Sequence, residues 1–354
     1  MTPAEVASAL QPWLAERFGV DAVVVDDVER RTEGFSWQTY IASVRWREPD
    51  GTARRHDVAI RRQPEDGLLA PYDIEAQFRL HQALVLTDVP IPPLIGLELD
   101  ASVLGMPFYA MDKAVGVVPV QWQGRDPAVF PDDETRRRIG LDFVDTLTVI
   151  HGVDWRTARL DEYLPGPAGG DAGTAEIDRW EGFLNEATAV EVPLLRAALG
   201  WCRRHRAVSD RLVLCHGDYR IGNFMLADGR INVVFDWELA HIGDPVEDVA
   251  WAGLRLFRGR SPLVSQLLPL PDVLTRYRER TGLDIDQDVL RFWTVLGMVR
   301  AAAPHVRGAA AFERGRSGDL RLAAMGHQTL HVMKHLADEL GWTEPATVGT
   351  AISS

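Results

Sequence analysis

Residues 214–251 read LCHGDYRIGNFMLADGRINVVFDWELAHIGDPVEDVAW, the most informative segment of the sequence. It contains three oxygen-bearing side chains at a fixed spacing: Asp218, then Asn223, then Asp236. Short apolar runs flank the dipeptide Asp228-Gly229, which strongly favours a hairpin turn. The pattern therefore predicts two short strands whose open end presents Asn223 and Asp236 side by side.

The spacing of these three residues is typical of a kinase catalytic loop followed by its metal-binding aspartate. A transferring phosphoryl group carries concentrated negative charge, so Mg²⁺ must bridge the phosphates of the nucleotide. Because Mg²⁺ prefers hard oxygen ligands, Asn223 and Asp236 are the candidate metal ligands. Asp218 is the candidate catalytic residue, since a carboxylate free of metal can align an acceptor hydroxyl and take its proton.

Three short motifs support this interpretation: HGD at 216–218, DWE at 236–238 and GDP at 243–245. Together they resemble the aminoglycoside phosphotransferase and choline kinase-like family, small-molecule kinases that share the protein-kinase fold. The chain most resembles the branch related to the kinase-like domains of acyl-CoA dehydrogenase fusion proteins. The resemblance implies Mg²⁺ as cofactor, with ATP or GTP as co-substrate. It also implies that Asp248 holds the backbone of the catalytic loop and that His216 is a buried packing residue.

The amino-terminal third reads as a small antiparallel sheet. Apolar residues that alternate with period two predict strands over residues 36–47 and 55–62. Other strands are expected over 22–28, 94–99 and 106–111, with a helix over 72–86 before the last two. Three strands, a helix and two strands is the order of a kinase amino-terminal lobe.

Helical patterns dominate the rest of the chain, and they include single helices expected over 244–258 and 287–303. The predicted fold class is therefore α+β, a protein kinase-like two-lobed fold with an antiparallel β-sheet lobe and a mainly helical lobe. The expected organisation is a nucleotide-binding lobe over 1–111, a hinge over 112–116, and a helical lobe with catalytic loop and acceptor site over 117–354.

The stretch Val58-Ala59-Ile60-Arg61 aligns with the kinase motif Val-Ala-Ile-Lys, with Arg in place of Lys. Strand alternation puts Ala59 and Arg61 on one face, and an arginine there can clamp phosphate oxygens. An arginine at the surface end of a strand would read the same way. Gln77 occupies the place of the glutamate that braces the kinase lysine, so a hydrogen bond to Arg61 is possible but an ion pair is not.

Two other segments complete the expected nucleotide site. Gly34, Phe35 and Ser36 stand where kinases have a glycine-rich loop that approaches the phosphates, although a single glycine is also what a hairpin turn needs. Met111 and Lys113 lie at the expected hinge, where backbone groups pair with the adenine. A plain linker would look the same.

Composition excludes several classes of protein. The 354-residue chain has a net charge of −13, which argues against a nucleic-acid partner. It has two cysteines, too few for a disulfide framework, and no apolar window long enough for a membrane span. We therefore expect a cytoplasmic protein with neither nucleic acid nor membrane as partner.

The acceptor stays open at this point. The acidic charge fits a cationic acceptor such as an aminoglycoside. A basic run in the carboxy-terminal part would better suit an anionic acceptor such as a hydroxyacyl-CoA, unless its members are ordinary salt-bridge partners. This run consists of Arg300, Arg307, Arg314, Arg316 and Arg321. Candidate cleft residues, each of which fits a packing or surface role equally well, are Trp251, Arg255, Trp293 and Arg300.

Three hypotheses about function result. The first is a kinase that uses ATP or GTP with Mg²⁺ to phosphorylate a hydroxyl of a small molecule, whether aminoglycoside-like or hydroxyacyl-CoA-like. The second is a catalytically weak nucleotide-binding pseudokinase, suggested by Arg61 and Gln77. The third is a metal-dependent hydrolase. The sequence does not predict the oligomeric state.

Overall fold

The computed structural model describes residues 1–31, 37–65, 68–120, 127, 129–167, 171–187, 192–208 and 211–342. The chain separates into two compact units. The first comprises Met1–Pro165 and Arg220–His241, and the second comprises Gly166–Tyr219 and Ile242–Ser354.

A five-stranded antiparallel sheet with strand order β1-β2-β3-β5-β4 is the main feature of the first unit. β2 and β3 pair without interruption from Gln38 opposite Arg62 to Arg47 opposite Ala53. The strands are β1 (Val24–Arg31), β2 (Gln38–Arg47), β3 (Ala53–Arg62), β4 (Leu94–Glu98) and β5 (Phe108–Asp112).

One face of this sheet is covered by helix α1 (Pro3–Phe18), which begins with a Thr2 capping box and ends at Gly19. Leu10 and Leu14 of α1 pack with Ile60 on this face. Their burial places the apolar core of the unit between α1 and the sheet.

The opposite face carries Ala59, Tyr109 and Met111, which pack with Trp37 and with Ile74 of helix α2 (Ile74–Leu84). Arg61 lies on this second face because it follows Ala59 at the strand period of two. The first unit also contains α3 (Ala101–Leu104), α4 (Asp133–His151), β7 (Phe224–Ala227) and β8 (Arg230–Val234).

The second unit is helical around a long central helix, α10, which packs against α5, α6, α7 and α11. The helices are α5 (Ala172–Ala187), α6 (Pro193–Arg204), α7 (Pro245–Ala252), α8 (Arg255–Arg258), α9 (Leu270–Thr281), α10 (Gln287–Glu313) and α11 (Leu320–Glu339). Two short strands, β6 (Val213–Cys215) and β9 (His241–Gly243), pair with each other.

The order of strands and helix expected for the amino-terminal part is confirmed, and helices follow it as expected. Two helix predictions were wrong. The single helix over 244–258 is broken after Ala252, because Gly253 caps α7 and Leu254 is extended. The helix expected to end at residue 303 continues to Glu313 through Pro304.

Cys202 and Cys215 are buried free thiols, in agreement with the absence of a disulfide framework. Burial raises the pKa of Cys202 to about 12 and holds that of Cys215 well above its usual value. Across the described ranges, none of the helices has the length and apolar character needed to cross a membrane.

Candidate active site

The hairpin of β7 and β8 brings the two predicted metal ligands to one end. Asp228 and Gly229 at its turn both have positive φ, the conformation that tight hairpin turns require. Phe224 pairs with Val234, and beyond them the N–H of Phe235 donates to the carbonyl of Asn223 at 2.8 Å. Asp236 is the next residue along the chain, so Asn223 and Asp236 flank the open end of the hairpin as predicted.

Asp236 adopts a left-handed backbone conformation, with φ 58° and ψ 56°. Non-glycine residues adopt it rarely, and such outliers cluster at functional sites. The Asp236 side chain is 42% exposed, and its Oδ1 accepts a hydrogen bond from Arg61 Nη1 at 3.1 Å. The hairpin therefore places the accessible Asp236 carboxylate beside the Arg61 guanidinium at the end of β3.

Arg61 is 14% exposed and is held on the second face of the sheet. Its guanidinium lies 5.7 Å from the centre of the Trp37 ring, within cation–π range. Burial lowers the pKa of the Arg61 guanidinium, but Tyr109 and the carboxylates of Asp236 and Glu238 raise it by more, so the net pKa lies above the usual value. Arg61 is thus a permanent positive charge beside Asp236.

Gln77 on α2 lies at the same site, although its partner differs from the one expected. Its Nε2 donates to the carbonyl of Trp237 at 3.2 Å, and Trp237 directly follows Asp236. Gln77 therefore braces the backbone beside the carboxylate that is the candidate metal ligand. The same α2 turn contains His81, whose Nδ1 lies 2.8 Å from the Gln77 carbonyl.

The predicted hinge residues end the sheet. Met111 is buried opposite Ala59, and Lys113 bonds to Asp57 through both its backbone N–H (3.0 Å) and its ammonium (3.1 Å). Gly116 lies three residues after Lys113, and a Cβ there would lie 2.4 Å from the Leu226 carbonyl oxygen. The chain can pass this close to β7 only because residue 116 is glycine.

The predicted catalytic loop, at His216 to Asp218, lies in the second unit and is bound by Asp248 of α7. Asp248 accepts hydrogen bonds from the N–H of His216 at 2.7 Å and of Gly217 at 2.9 Å. His216 is fully buried, and its Nδ1 accepts from the N–H of Asp218 at 3.0 Å. The roles that the resemblance implied for Asp248 and His216 are both confirmed.

The Asp218 side chain has a partner that sequence reasoning did not identify. Trp251 Nε1 donates to Asp218 Oδ1 at 2.7 Å. Arg300 lies behind Trp251, with its guanidinium carbon 4.5 Å from the centre of the Trp251 ring. Trp251 lies 33 positions after Asp218, and Arg300 lies 49 positions after Trp251, so no local sequence pattern indicates these contacts. They result from the packing of α7 on α10.

Four other candidate residues are not among the described residues of the site. Gly34, Phe35 and Ser36 lie outside the described residues. Trp293 is a buried residue packed against Phe292, which makes it part of the core.

The basic run does not form one surface. Arg300 is buried beside Glu247, Arg307 lies 5.0 Å from the Phe183 ring, and Arg321 pairs with Asp319 at 2.7 Å. At these three positions, the salt-bridge and packing interpretation agrees with the structure better than a shared anionic site does.

Known proteins resemble this chain in sequence and in fold. The sequence model of the phosphotransferase enzyme family matches residues 30–293. A solved structure from Ralstonia eutropha JMP134, provisionally assigned as an aminoglycoside phosphotransferase, has a TM-score of 0.71 at 23% identity, covering 96% of this chain and 99% of that one. A thermostable mutant of aminoglycoside phosphotransferase APH(4)-Ia, in a ternary complex with ADP and hygromycin B, has a TM-score of 0.58 at 14% identity, covering 94% and 98%. These likenesses confirm the predicted kinase-like α+β fold.

A curated relative supports the predicted branch. Acyl-CoA dehydrogenase family member 10 of Mus musculus is 30% identical over 204 residues, which are 56% of this chain and 18% of that protein. The chain thus spans less than a fifth of the length of this relative.

Proposed function

The chain belongs to the phosphotransferase enzyme family, and from that premise we propose that it moves the γ-phosphate of ATP or GTP to a hydroxyl group of a small molecule. The main support is the ion pair of Arg61 with Asp236, which are 175 positions apart in sequence. A cation that can clamp phosphate oxygens beside a carboxylate that can bind a divalent metal is what a triphosphate site requires.

Asn223 and Asp236 would hold Mg²⁺. Their amide and carboxylate oxygens are the donor types that this ion prefers, and the Asp236 carboxylate is exposed enough to coordinate. When bound, Mg²⁺ would neutralise part of the charge on the nucleotide phosphates. Arg61 would contact the same phosphates, in place of the kinase lysine.

Asp218 would act on the acceptor. Its backbone N–H is bound to His216 and its Oδ1 to Trp251, so the carboxylate is held in a defined orientation. A carboxylate held in this way can align a substrate hydroxyl for in-line attack and accept its proton.

The remaining assignments complete the proposal. Residues 1–111 would form the nucleotide-binding lobe, 112–116 the hinge, and 117–354 the lobe with the catalytic loop and the acceptor site. In the nucleotide-binding lobe, the residues proposed to surround the nucleotide are Gly34, Phe35, Ser36, Gln77 and Met111, with Lys113 at the hinge. We also propose a cytoplasmic location, in keeping with two buried free thiols.

Two acceptor classes follow from the relatives. Hygromycin B is bound in the APH(4)-Ia complex, which supports an aminoglycoside-like acceptor. The likeness to acyl-CoA dehydrogenase family member 10 supports a hydroxyacyl-CoA acceptor.

The test is a γ-phosphate transfer assay with ATP and with GTP against aminoglycosides, hydroxyacyl-CoAs and amino alcohols, with Asp218→Ala as the matched variant. We expect Mg²⁺-dependent phosphorylation of one acceptor class by the parent protein and its loss in Asp218→Ala. Phosphorylation of a coenzyme A thioester alone would overturn the proposal of an aminoglycoside-like acceptor.

The pseudokinase alternative makes a different prediction in the same assay. It predicts nucleotide binding by calorimetry without transfer to any acceptor and without hydrolysis. Equal turnover by the parent and by Asp218→Ala would remove Asp218 from the mechanism.

A further inference from the structure

We propose that Trp251 is a positioning residue, which holds the Asp218 carboxylate through its indole N–H and is itself held by Arg300. The proposal rests on the proposed function, in which Asp218 acts on the acceptor hydroxyl. All the residues involved lie in the second unit.

The contact between Trp251 and Asp218 is short and sheltered. Nε1 of Trp251 lies 2.7 Å from Oδ1 of Asp218, and the Trp251 residue is 5% exposed. An indole offers one donor and no acceptor, and an ionised carboxylate only accepts, so the pairing satisfies the indole completely. A hydrogen bond to an ionised acceptor is stronger than a neutral one and restricts rotation of the carboxylate about its Cβ–Cγ bond.

Arg300 supports both ends of this contact. Its residue is 3% exposed, and its two terminal nitrogens donate to the Glu247 carboxylate and to the carbonyl of Gly217. Gly217 directly precedes Asp218, and the Arg300 guanidinium also lies over the Trp251 ring at 4.5 Å. One buried cation therefore fixes the backbone before Asp218 and the ring that binds its side chain.

The attraction between cation and ring has a further consequence. A positive charge over the indole face is bound by the electron density of the ring, and burial strengthens this interaction. Because Arg300 is paired with Glu247 at another nitrogen, it is not free to leave the ring. Trp251 is thereby held in the orientation that points Nε1 at Asp218.

A device of this kind affects the chemical step more than binding. Small displacements of a reacting group are costly to kcat, while a nucleotide that does not contact Trp251 keeps its affinity. A role limited to packing would instead appear as lower stability, with kcat per folded molecule unchanged.

The test compares Trp251→Phe with the matched control Trp293→Phe. Phenylalanine keeps an aromatic ring but removes the indole N–H. Trp293 is also buried in the second unit, and within the described residues its Nε1 has no hydrogen-bond partner. We expect kcat to fall at least about tenfold in Trp251→Phe, with KM for ATP within about twofold, and to change less than about threefold in Trp293→Phe. Equal kcat for Trp251→Phe and the parent, per nucleotide-binding molecule, would overturn the proposal.

A spectroscopic measurement tests the contact without activity. In a ¹⁵N–¹H correlation spectrum of the full chain, the indole N–H signals of Trp251 and Trp293 are assigned by their absence in the two Phe variants. We expect Asp218→Ala to shift the Trp251 proton upfield and to leave the Trp293 proton in place. An unmoved Trp251 signal would show that the hydrogen bond does not form. Because this readout needs no substrate, it separates failure of the positioning role from failure of the proposed phosphotransfer.

Discussion

At the scale of single residues, the Asp236 carboxylate has one partner in the structure and a second in the proposed function. Asp236 is bound by Arg61 in this structure and is the proposed ligand of Mg²⁺. Arg61 and the metal ion both carry positive charge, so each can neutralise Asp236. Loss of the carboxylate should therefore affect metal-dependent and metal-free nucleotide binding in different ways.

We expect Asp236→Ala to weaken Mg²⁺–ATP binding at least about tenfold, because one of two protein oxygen ligands is lost. Binding of ATP in the presence of a chelator should change little, since Arg61 keeps its charge. Isothermal titration calorimetry under both conditions measures the difference. Asp26→Ala is the matched control, because Asp26 also pairs with an arginine, Arg45, at 2.5 Å. Parent-like Mg²⁺–ATP affinity in Asp236→Ala would show that the metal assignment is wrong.

Asp218 should behave in the opposite way. Asp218→Asn keeps the size of the side chain and removes its ability to accept a proton, so we expect kcat to fall about 10²–10⁴-fold. Nucleotide affinity should stay within about twofold of the parent value, because Asp218 is not a proposed metal ligand. Single-turnover kinetics combined with calorimetry measures the two quantities separately. A turnover rate close to that of the parent would exclude Asp218 as the base.

At the scale of elements, the segment that follows β5 runs close beside β7, and this close approach depends on a glycine. Gly116 leads into a bridge in which Val117 and Leu226 exchange two backbone hydrogen bonds, of 2.9 and 2.8 Å. A Cβ at residue 116 would lie 2.4 Å from the Leu226 oxygen and 2.7 Å from Met225 Cγ. An added methyl group at residue 116 would therefore displace the Val117–Leu226 bridge or the Met225 side chain.

We expect Gly116→Ala to destabilise the protein by about 1–3 kcal/mol, the usual cost of inserting a methyl group into a packed site. Gly51→Ala is the control, because Gly51 also has positive φ, but a Cβ added there would meet no atom within 4 Å. Denaturant unfolding should give a lower midpoint for Gly116→Ala than for Gly51→Ala. Coincident midpoints would show that backbone conformation alone, and not the close approach, sets the cost.

Elements with strong local signals were predictable from the sequence. The Asp228-Gly229 turn and the flanking apolar runs correctly predicted the β7–β8 hairpin, and hence the neighbouring ends at Asn223 and Asp236. Alternation in β3 likewise placed Ala59 and Arg61 on one face. In both cases the information lies within a few residues of chain.

Features decided by packing were not predictable in this way. α10 continues through Pro304, whose ring removes one helical hydrogen bond, because the helix is packed on four others. The contact of Trp251 with Asp218 and that of Gln77 with the Trp237 carbonyl join distant segments. An indole or an amide has no sequence signal for such a partner, so only the fold reveals it.

At the scale of the whole molecule, each unit holds its own candidate site residues by burial. In the first unit, Arg61 and Gln77 reach Asp236 and Trp237 from the sheet face and from α2. In the second unit, α10 packs against α5, α6, α7 and α11. This packing places Arg300 of α10 beside Gly217 in the predicted catalytic loop. The contacts that orient these side chains are therefore part of the packing of each unit.

One buried group should make that stability depend on pH. His81 on α2 is 6% exposed and lies 5.4 Å from the Tyr109 ring. Burial lowers the pKa of His81 from 6.5 to about 4, while the hydrogen bond to the Gln77 carbonyl raises it and the charge of Arg61 lowers it. Between these two pH values, the unfolded chain binds a proton that the folded chain does not.

Acid should therefore destabilise the fold through His81. The contribution of the neutral imidazole is complete above pH 6.5 and is lost as pH falls toward 4, and at pH 5 the loss is about 2 kcal/mol. We expect His81→Gln, which cannot gain this proton, to lose less stability than the parent between pH 7 and pH 5. The exposed His327 provides the control, since His327→Gln should follow the parent curve. Denaturant unfolding at each pH measures the effect, and parallel curves for the parent and His81→Gln would mean that another group causes the acid sensitivity.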